Sequence, residues 1–346
     1  MSSIYILQGE KERLHGYRYE VDLSIPPLGK GGMGQVFRGD RVDLRTGRHY
    51  PVAIKFLFGD LPERAVERAR REAMIQIDHP NLVRMYGFFE IVEHTSKGIF
   101  KHYHVVSELL DGVRLFDLLN GRTTNKEGKE IGYARELYSL YKSDRFSFTL
   151  TIIKEILSGL SALHQQGYIH RDLDPSNIMI TSDHKVKIID YGIAKKITAL
   201  NTQDRQLTNT GQFIGKAEYA APELVMGDVL SHNQTTDLYA VGIIMFQLIN
   251  GNPPFKGDMM AVVRKQIHDN LPLHTIPYKI LRPILKKACA KRQSQRFQSA
   301  QQFLHALNEV EANVSKRADY RKILIYMAII LAIIVFIGLI IYLLLK

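Results

Sequence analysis

The sequence predicts an α+β fold that continues into one C-terminal membrane-spanning helix. Strand patterns separated by turn residues dominate from Val21 to Gly112, and long helical patterns dominate from Ser147 onward. A block of strands followed by a block of helices is typical of α+β architecture. Near the C-terminus, Ile323 to Leu345 forms an apolar run of 23 residues without a charge.

The composition indicates a folded protein with one large domain or two small ones. Hydrophobic residues make up 45% and charged residues 23% of the 346 positions, which suffices for a sizeable core. The single cysteine, Cys289, excludes an intramolecular disulfide framework and a cysteine-rich zinc site. The net charge of +11 comes from scattered basic residues without a nucleic-acid motif. We therefore expect affinity for phosphates and membranes, and no nucleic-acid partner.

The first motif is a glycine-rich hairpin between two predicted strands, Val21 to Leu28 and Gln35 to Asp40. Glycines at such a turn let backbone amides approach phosphates closely. A lone G-x-G-x-x-G pattern often belongs to a dinucleotide fold, but here a valine and then a strand follow it, in place of a helix. The nucleotide-binding candidates of this flap are Gly29, Gly31, Gly34 and Val36.

The next strand, Val52 to Lys55, contributes Ala53 and Lys55 as nucleotide-binding candidates, with Lys55 expected on the α and β phosphates. A helix predicted over Pro62 to Ile77 must provide the glutamate that holds this lysine. Glu72 fits best from its neighbours, and Glu67 remains an alternative. The following strand is predicted from Leu82 to Glu90.

Residues Val105 to Gly112 pass from an apolar strand into a turn that looks like a hinge between two lobes, where an adenine ring would stack. The backbone of Glu108 and Leu110 is expected to bond the edge of the adenine. The small Ser107 predicts an enlarged pocket behind it. Residues 121–145 are polar and charged, and we interpret them as an insertion before a helix from Ser147 to Gln166.

The segment from His170 to Asn177 has the order expected for phosphoryl transfer. Asp172 can take the proton of an attacking hydroxyl, and Asn177 offers a neutral oxygen ligand to a metal ion. A strand from Lys185 to Ile189 then leads to Asp190, the second expected magnesium ligand. Tyr191 follows it as an aromatic residue whose hydroxyl needs a partner.

The 34 residues from Asp190 to Glu223 end at Ala221-Pro222-Glu223 and are rich in threonine, with Thr208 and Thr210 as the best phosphate acceptors. Arg171 is the expected clamp for a phosphothreonine there. A helix from Thr236 to Leu248 contains Asp237, which we expect to cap the backbone of the turn from His170 to Asn177, the catalytic turn. Glu223 and Arg296 are expected to form an internal ion pair.

The residues that carry a family resemblance are Gly29, Lys55, Asp172, Asn177, Asp190, Ala221 to Glu223, Asp237 and Arg296. Together they resemble the eukaryotic-like Ser/Thr protein kinases over roughly residues 18–312. The form of the flap and the Thr208-x-Thr210 pattern are most similar to the bacterial membrane-anchored branch.

The resemblance implies a two-lobed protein kinase fold, with a β-rich N-lobe over about residues 18–107 and a helical C-lobe over about 111–312. It also implies ATP with Mg²⁺ as cofactors and transfer of the γ-phosphoryl group to Ser or Thr of protein substrates. Activation is expected through autophosphorylation in the segment between residues 190 and 223.

One position departs from the family, because Asp174 replaces a lysine that contacts the γ-phosphate in these kinases. Lys216, in turn, replaces a threonine. We hypothesise that Lys216 pairs with Asp172 or Asp174 and supplies the missing cation, which makes it a catalytic candidate. An uncompensated change is costly, since a unit-charge pair at about 4 Å contributes about 4 kcal/mol at an effective dielectric constant of 20. The alternative is a nucleotide-binding pseudokinase that acts as a membrane-anchored scaffold.

The apolar run from Ile323 to Leu345 would be about 34 Å long as a helix, which is enough to cross a bilayer. Four basic residues lie just before it and only Lys346 follows it. This asymmetry predicts a single-pass protein of the cell membrane with a cytoplasmic kinase domain and a basic linker over residues 313–322. A homodimer through the lobes or the span is compatible with the sequence, and no pattern requires one.

Overall fold

The computed structural model describes residues 4–96, 98–125, 128–191, 195–196, 217–316 and 326–330. These residues form a lobe built on a curled β-sheet and a larger helical lobe, as the resemblance implied. Thr208, Thr210 and Lys216 lie outside the described residues, so the expectations about them remain predictions.

The N-lobe is a seven-stranded antiparallel sheet with two helices. Along the sheet the order is β1-β2-β4-β5-β7-β6, and β3 pairs with β4. The elements are β1 (Ile4–Leu7), α1 (Glu10–Leu14), β2 (Tyr17–Asp22), β3 (Gly29–Gly31), β4 (Gly34–Asp43), β5 (His49–Leu57), α2 (Glu63–Ala73), β6 (Met85–Thr95) and β7 (Gly98–Glu108).

The two faces of this sheet bury different sets of side chains, because successive residues of a strand point to opposite faces. On the outer face, Val52 and Ile54 of β5 pack in a small cluster with Leu7 of β1. On the other face, Leu57 and Val105 join the large core shared with the C-lobe. The sheet therefore begins upstream of residue 18, the boundary predicted for the domain, since β1 both pairs with β2 and closes the outer cluster.

One predicted strand of the flap is wrong. The sequence favoured a strand from Val21 to Leu28, but β2 ends at Asp22, whose carboxylate accepts a hydrogen bond from the Ser24 amide at 2.9 Å. An aspartate that bonds the amide two residues on favours a turn over a ladder. The chain returns to the sheet as β3, so the flap hairpin consists of β3 and β4.

The C-lobe is built around α5 and α7, and every residue of α7 from Thr235 to Ile249 is buried. A small sheet in the order β11-β10-β8 contacts α5 through β11. The elements are β8 (Gly112–Arg114), α3 (Leu115–Leu119), α4 (Gly132–Ser143), α5 (Arg145–Gln165), β9 (Tyr168–Ile169), β10 (Ile178–Thr181), β11 (Val186–Ile188), β12 (Lys195–Lys196), α6 (Pro222–Val225), α7 (Gln234–Asn250), α8 (Met259–His268), α9 (Arg282–Ala288) and α10 (residues 300–316).

The predicted insertion over residues 121–145 contains the helix α4. Leu137 and Tyr141 of α4 are buried, and the Tyr141 ring lies 5.4 Å from that of Phe148 on α5. The long helix α5 begins two residues before the predicted start, because Asp144 caps it and accepts from the Ser147 amide at 3.0 Å. The polar segment is thus part of the C-lobe core packing.

Among the described residues, one helix is long and apolar enough to cross a membrane, and this is α5. Over half of its apolar stretch, 56%, is buried inside the C-lobe, as expected for a core helix. Of the span predicted from Ile323 to Leu345, the structure describes residues 326–330, which are helical and exposed. The span itself remains a prediction.

Candidate functional site

The catalytic turn between β9 and β10 is anchored by the buried carboxylate of Asp237. This side chain is 1% exposed and accepts hydrogen bonds from the backbone amides of His170 and Arg171, both at 2.8 Å. Its third partner is Nε2 of His164 at 2.7 Å. Arg171 has a φ of 67°, a strained conformation that aims both amides at one carboxylate. The prediction that Asp237 caps the catalytic turn is confirmed.

These bonds also set the charge of Asp237. Burial alone would raise the pKa of this carboxyl, but the hydrogen bonds from the His164 side chain and the Arg171 amide lower it below its usual value. Asp237 is therefore an anion at neutral pH. His164 could not be found from the sequence, because nothing local places the end of α5 beside a residue 73 positions later.

Asp172 and Asn177 lie on this turn and are bonded to each other. The Asn177 side-chain nitrogen donates to the Asp172 carbonyl at 2.8 Å, which leaves the amide oxygen of Asn177 directed away from that bond. The Asp172 amide donates to Nδ1 of His170 at 3.3 Å. Burial lowers the pKa of His170, so its ring is a neutral acceptor at pH 7.

Asp174 has a structural role within the same turn. It is 4% exposed, and its carboxylate accepts from the amide and the hydroxyl of Ser176, both at 2.6 Å. It thereby caps a short 3-10 turn, Pro175–Asn177. The aspartate fixes the backbone that carries Asn177, which gives this departure from the family a reason independent of Lys216.

On the N-lobe side, the strand register places the flap and Lys55 in one row. Gly29 lies opposite Val36, and Val36 lies opposite Lys55. Ala53 is two residues before Lys55 and therefore on the same face of β5. The predicted nucleotide-binding residues of three strands thus share the cleft face of the sheet.

The flap glycines serve two purposes. A Cβ on Gly29 or Gly31 would meet no atom within 4 Å, so open space adjoins these positions. A Cβ on Gly34 would lie 2.1 Å from the backbone oxygen of Phe56, so only glycine lets β4 approach β5 there. The sequence assigned all of them to phosphate approach, whereas packing explains Gly34.

Of the two candidate acids of α2, Glu72 is buried and Glu67 lies on the surface. Glu72 is 8% exposed, and the nearby Tyr191 backbone favours its charged form. Burial, reinforced by the charge of Asp190, raises its pKa to about 8, although Lys55 and Arg68 act in the opposite direction. Glu67 instead lies on the outer surface of α2 and pairs with Arg71 at 3.1 Å.

Lys55 and Glu72 are both described, and no ion pair within 4.0 Å joins them in the described part of the chain. The positive charge of Lys55 nevertheless acts to lower the pKa of Glu72. The N-lobe half of the site therefore contains a buried carboxyl whose pKa is raised to about 8, mainly by burial.

Asp190 and Tyr191 connect the two halves of the site. Asp190 is exposed, with a φ of 59°, and the preceding Ile189 amide donates to the Asn177 carbonyl at 2.9 Å. The two predicted metal ligands are thus held by adjoining backbone. Tyr191 is buried, and its hydroxyl donates to the Val83 carbonyl. The expectation that this hydroxyl needs a partner is confirmed.

At the predicted hinge, the side chain of Glu108 is bonded to other residues of the chain. Its carboxylate accepts from Lys187 at 2.8 Å and from the Arg84 amide at 3.1 Å. Ser107 lies opposite Ala53 in the sheet and is half-buried, as is Leu110. The backbone groups of Glu108 and Leu110 remain the candidates for adenine, and the pair with Lys187 was not predicted.

A buried ion pair holds the short helix α6. Arg296, 1% exposed, donates to both carboxylate oxygens of Glu223 at 2.7 and 2.9 Å. Thr236 and Gln293 also donate to Glu223. The predicted pair is confirmed, and it ties α6 to the chain that precedes α10.

A second hydrogen-bond network, which we did not predict from the sequence, holds the backbone of Ala217 and Glu218, just before α6. Gln266 of α8 donates to the carbonyls of Ala217 and Glu218 at 3.1 and 2.6 Å. Its own oxygen accepts from the Tyr239 hydroxyl at 2.6 Å, and Lys291 donates to that hydroxyl at 3.0 Å. These long-range contacts have no local sequence signal.

Comparison with known proteins assigns the family. The model of the protein kinase domain matches residues 24–325. A probable serine/threonine-protein kinase PknB of Lactococcus lactis is 31% identical over 298 residues, which cover 83% of this chain and 41% of the relative. A probable serine/threonine-protein kinase of Streptomyces coelicolor is 31% identical over 301 residues, covering 84% of this chain and 39% of the relative.

The serine/threonine-protein kinase PknB of Mycobacterium tuberculosis is 32% identical over 284 residues, which cover 79% of this chain and 40% of the relative. The chain thus spans about two fifths of the length of the curated relatives that it matches. The matched region includes the flap, the catalytic turn, Asp190 and the Glu223–Arg296 pair. The chain therefore belongs to the protein kinase family, in its bacterial eukaryotic-like serine/threonine group.

Proposed function

We propose that this protein is an ATP-dependent serine/threonine protein kinase. The observation that carries the proposal is the catalytic turn, where Asp237 fixes the backbone on which Asp172 and Asn177 lie. Kinase relatives that share this region are named serine/threonine-protein kinases, and a rigid constellation of this kind is what phosphoryl transfer requires.

In the proposed reaction, the hydroxyl oxygen of a Ser or Thr attacks the γ-phosphorus of ATP. Its proton passes to the carboxylate of Asp172, and the bond to the bridging oxygen breaks with its electron pair leaving on ADP. Lys55 binds the α and β phosphates from the cleft face of β5, and the backbones of Glu108 and Leu110 bind the adenine edge.

Asn177 and Asp190 would hold Mg²⁺. Amide and carboxylate oxygens are suitable ligands, and one or two protein groups plus phosphates are a usual magnesium site. Two observations fit this assignment. The side-chain nitrogen of Asn177 already donates to the Asp172 carbonyl, so the side-chain oxygen of Asn177 is the atom left for a metal ion. Asp190 is exposed. The metal would supply charge neutralisation for the phosphates.

We further propose that autophosphorylation at Thr208 or Thr210 activates the kinase, with Arg171 as the phosphate clamp. The backbone of Arg171 is fixed by Asp237, which would place its guanidinium reproducibly. The proposed C-terminal span, Ile323 to Leu345, would anchor the kinase in the cell membrane with its lobes in the cytoplasm.

The second candidate function is a nucleotide-binding pseudokinase. Asp174 supports it, because a buried capping carboxylate stands where related kinases carry a lysine. In this case the chain would bind nucleotide through Lys55 and Asp190 and act as a scaffold without transferring phosphate.

Mass spectrometry of the full chain decides between these functions. The protein and its Asp172→Asn variant are expressed and purified in parallel, and phosphate is mapped after incubation with ATP and Mg²⁺. Phosphothreonine at Thr208 or Thr210 in the parent protein alone is the expected result, and an unphosphorylated chain in both preparations supports the scaffold. Full phosphotransfer by Lys216→Ala at saturating ATP would exclude the proposed compensation of Asp174.

A further inference from the structure

The C-terminal end of α10 lies beside the N-terminal end of α5. Near the start of α10, Gln301 donates to the hydroxyl of Ser161, late in α5. Further along, Glu311 pairs with Lys154, earlier in α5. The two helices are therefore antiparallel, and residue 316 lies near the residues that begin α5.

Other elements meet at this same end of the lobe. Arg145, the first residue of α5, donates to the Ile249 carbonyl at 3.1 Å, near the end of α7. The ring of Phe146 lies 5.0 Å from that of Tyr278. Asn250 donates to Thr275 at 2.7 Å. We call this surface, formed by the ends of α4, α5, α7 and α10 and by residues 273–282, the C-lobe base.

The C-lobe base is the end of the molecule remote from the cleft. His164, which bonds Asp237 beneath the catalytic turn, lies at the opposite end of α5. The helix has 21 residues and is about 30 Å long at 1.5 Å per residue. The base and the catalytic turn are thus separated by roughly the length of one helix.

Positive charge predominates on the base. Its basic residues are Lys142, Arg145, Lys279, Arg282 and Lys316. The guanidinium of Arg145 bonds a carbonyl of Ile249 and that of Arg282 bonds a carbonyl of Ile276, so neither charge is neutralised by these partners.

Acidic groups at the base are fewer and are partly engaged in other contacts. Asp144 caps α5, Glu309 contacts His305 at 3.4 Å, and Glu311 pairs with Lys154. The base is therefore a surface of net positive charge, and such surfaces attract anionic lipid headgroups.

The chain length between the base and the proposed span is short. Six residues, 317–322, separate the last described residue of α10 from Ile323. Whatever their conformation, six residues reach at most about 20 Å at about 3.5 Å each. The headgroup layer itself occupies about 5–8 Å of this distance, and salt screens charges over about 8 Å at physiological ionic strength.

We propose that the C-lobe base docks on the anionic surface of the bilayer, an inference that depends on the proposed C-terminal span. In this orientation the C-lobe base faces the membrane, and α5 extends from the membrane surface to the catalytic turn. The cleft is then held about 30 Å above the headgroups, which favours substrate segments that extend this far from the membrane.

Fluorescence quenching on the full chain in lipid nanodiscs tests this docking. A fluorophore is attached at Ser143→Cys, beside Lys142 on the base, or at Thr46→Cys, an exposed control site in the N-lobe. The native Cys289 is buried and burial raises its pKa to about 12, so it stays unlabelled at neutral pH. The discs contain a headgroup-linked quencher in either zwitterionic or anionic lipid.

In anionic discs we expect the Ser143→Cys label to be quenched about twofold or more relative to zwitterionic discs, with little change at the control label. Charge reversal by Lys142→Glu, Lys279→Glu and Lys316→Glu together should remove this difference. The matched reversal Arg13→Glu, Arg45→Glu and Arg48→Glu on the N-lobe should leave it unchanged.

Each other outcome contradicts the proposal in a recognisable way. A chain that remains with the discs after alkaline washing but shows equal quenching in both lipids overturns the docking and leaves the span intact. A chain that separates from the discs overturns both. Kinase assays on the same preparations report independently on the proposed activity.

Discussion

The two halves of the candidate site differ in how completely they are held by bonds within the chain. On the C-lobe half, Asp237 accepts from three donors, and the side chains of Asn177 and Asp174 each bond the same turn. On the N-lobe half, Glu72 is buried, and no ion pair within 4.0 Å joins it to Lys55 in the described residues.

The difference has an electrostatic cause. Asp237 is buried beside hydrogen-bond donors that stabilise its charge, so its pKa is lowered. Glu72 is buried near another carboxylate, Asp190, so its pKa is raised to about 8. One half is thus assembled before any ligand binds, whereas we expect the other to be completed only when bound phosphates and metal change its charge balance.

The largest effect on stability is expected from Asp237→Ala, which removes the carboxylate that holds the catalytic turn in the C-lobe half of the site. The amides of His170 and Arg171 would lose their partner, and each unsatisfied buried donor costs about 1–3 kcal/mol. We expect the free energy of unfolding to fall by roughly 4 kcal/mol, measured by urea denaturation. Asp228→Ala, an exposed control nearby, should change it little; similar losses in both variants would disprove the anchoring role.

The next effect concerns the incomplete half, through Glu72→Gln. The folded-state pKa of Glu72, about 8, exceeds its ordinary value of 4.5. The protonated carboxyl therefore contributes stability that is fully present below pH 4.5 and is lost as the pH rises through 8. Relative to Glu72→Gln, the parent protein should lose up to about 1.4 kcal/mol per pH unit in this window.

Thermal or urea unfolding of both proteins from pH 5 to pH 8 measures this trend. The variant should become the more stable protein as the pH rises, while losing kinase activity at every pH because the Lys55 partner is absent. A stability difference that does not vary with pH would mean that Glu72 is ionised in the free protein.

A smaller effect is expected where the two halves meet, at Tyr191→Phe. The substitution removes the hydroxyl that donates to the Val83 carbonyl and keeps the buried ring. We expect a loss of about 1 kcal/mol in the free energy of unfolding, typical of one hydrogen bond. An unchanged stability would show that water or another group replaces the bond without cost.

The smallest effect is expected at Glu67→Gln, which tests the choice between the two glutamates of α2. Glu67 pairs with Arg71 on a surface where the side chains are 46% and 59% exposed. Such exposed pairs contribute about 0.3–0.5 kcal/mol, so stability and activity should both stay near those of the parent protein. Loss of kinase activity in this variant would return Glu67 to the candidates for pairing with Lys55.

The local order of residues in the sequence predicted most of the C-lobe half of the site and less of the N-lobe half. The motif around Asp172 and Asn177 fixes its geometry within eight residues, so its positions could be read directly. The capping by Asp174 also has a local signal, an aspartate before Pro175 and Ser176, although we expected only an effect of its charge near a phosphate. The contact with His164 joins residues 73 positions apart, so it depends on how α5 and α7 pack.

The choice between Glu67 and Glu72 could not be made from the sequence, because it depends on how α2 is rotated against the sheet. The burial of Val66 and Ala69 sets that rotation, and it directs Glu72 inward. The strand error at residues 21–28 has a different cause, since a turn at Asp22 and Ser24 interrupts an otherwise apolar run. Tertiary contacts and side-chain turns therefore account for what local patterns missed.

Calorimetry of nucleotide binding tests most directly that Glu72 is neutral in the free protein and ionises when the site is completed. Binding of a non-hydrolysable ATP analogue with Mg²⁺ is measured at pH 7 in two buffers of different ionisation enthalpy. We predict the release of close to one proton by the parent protein and by Glu67→Gln, and a release smaller by about that amount for Glu72→Gln. Equal proton release by all three proteins would contradict the account.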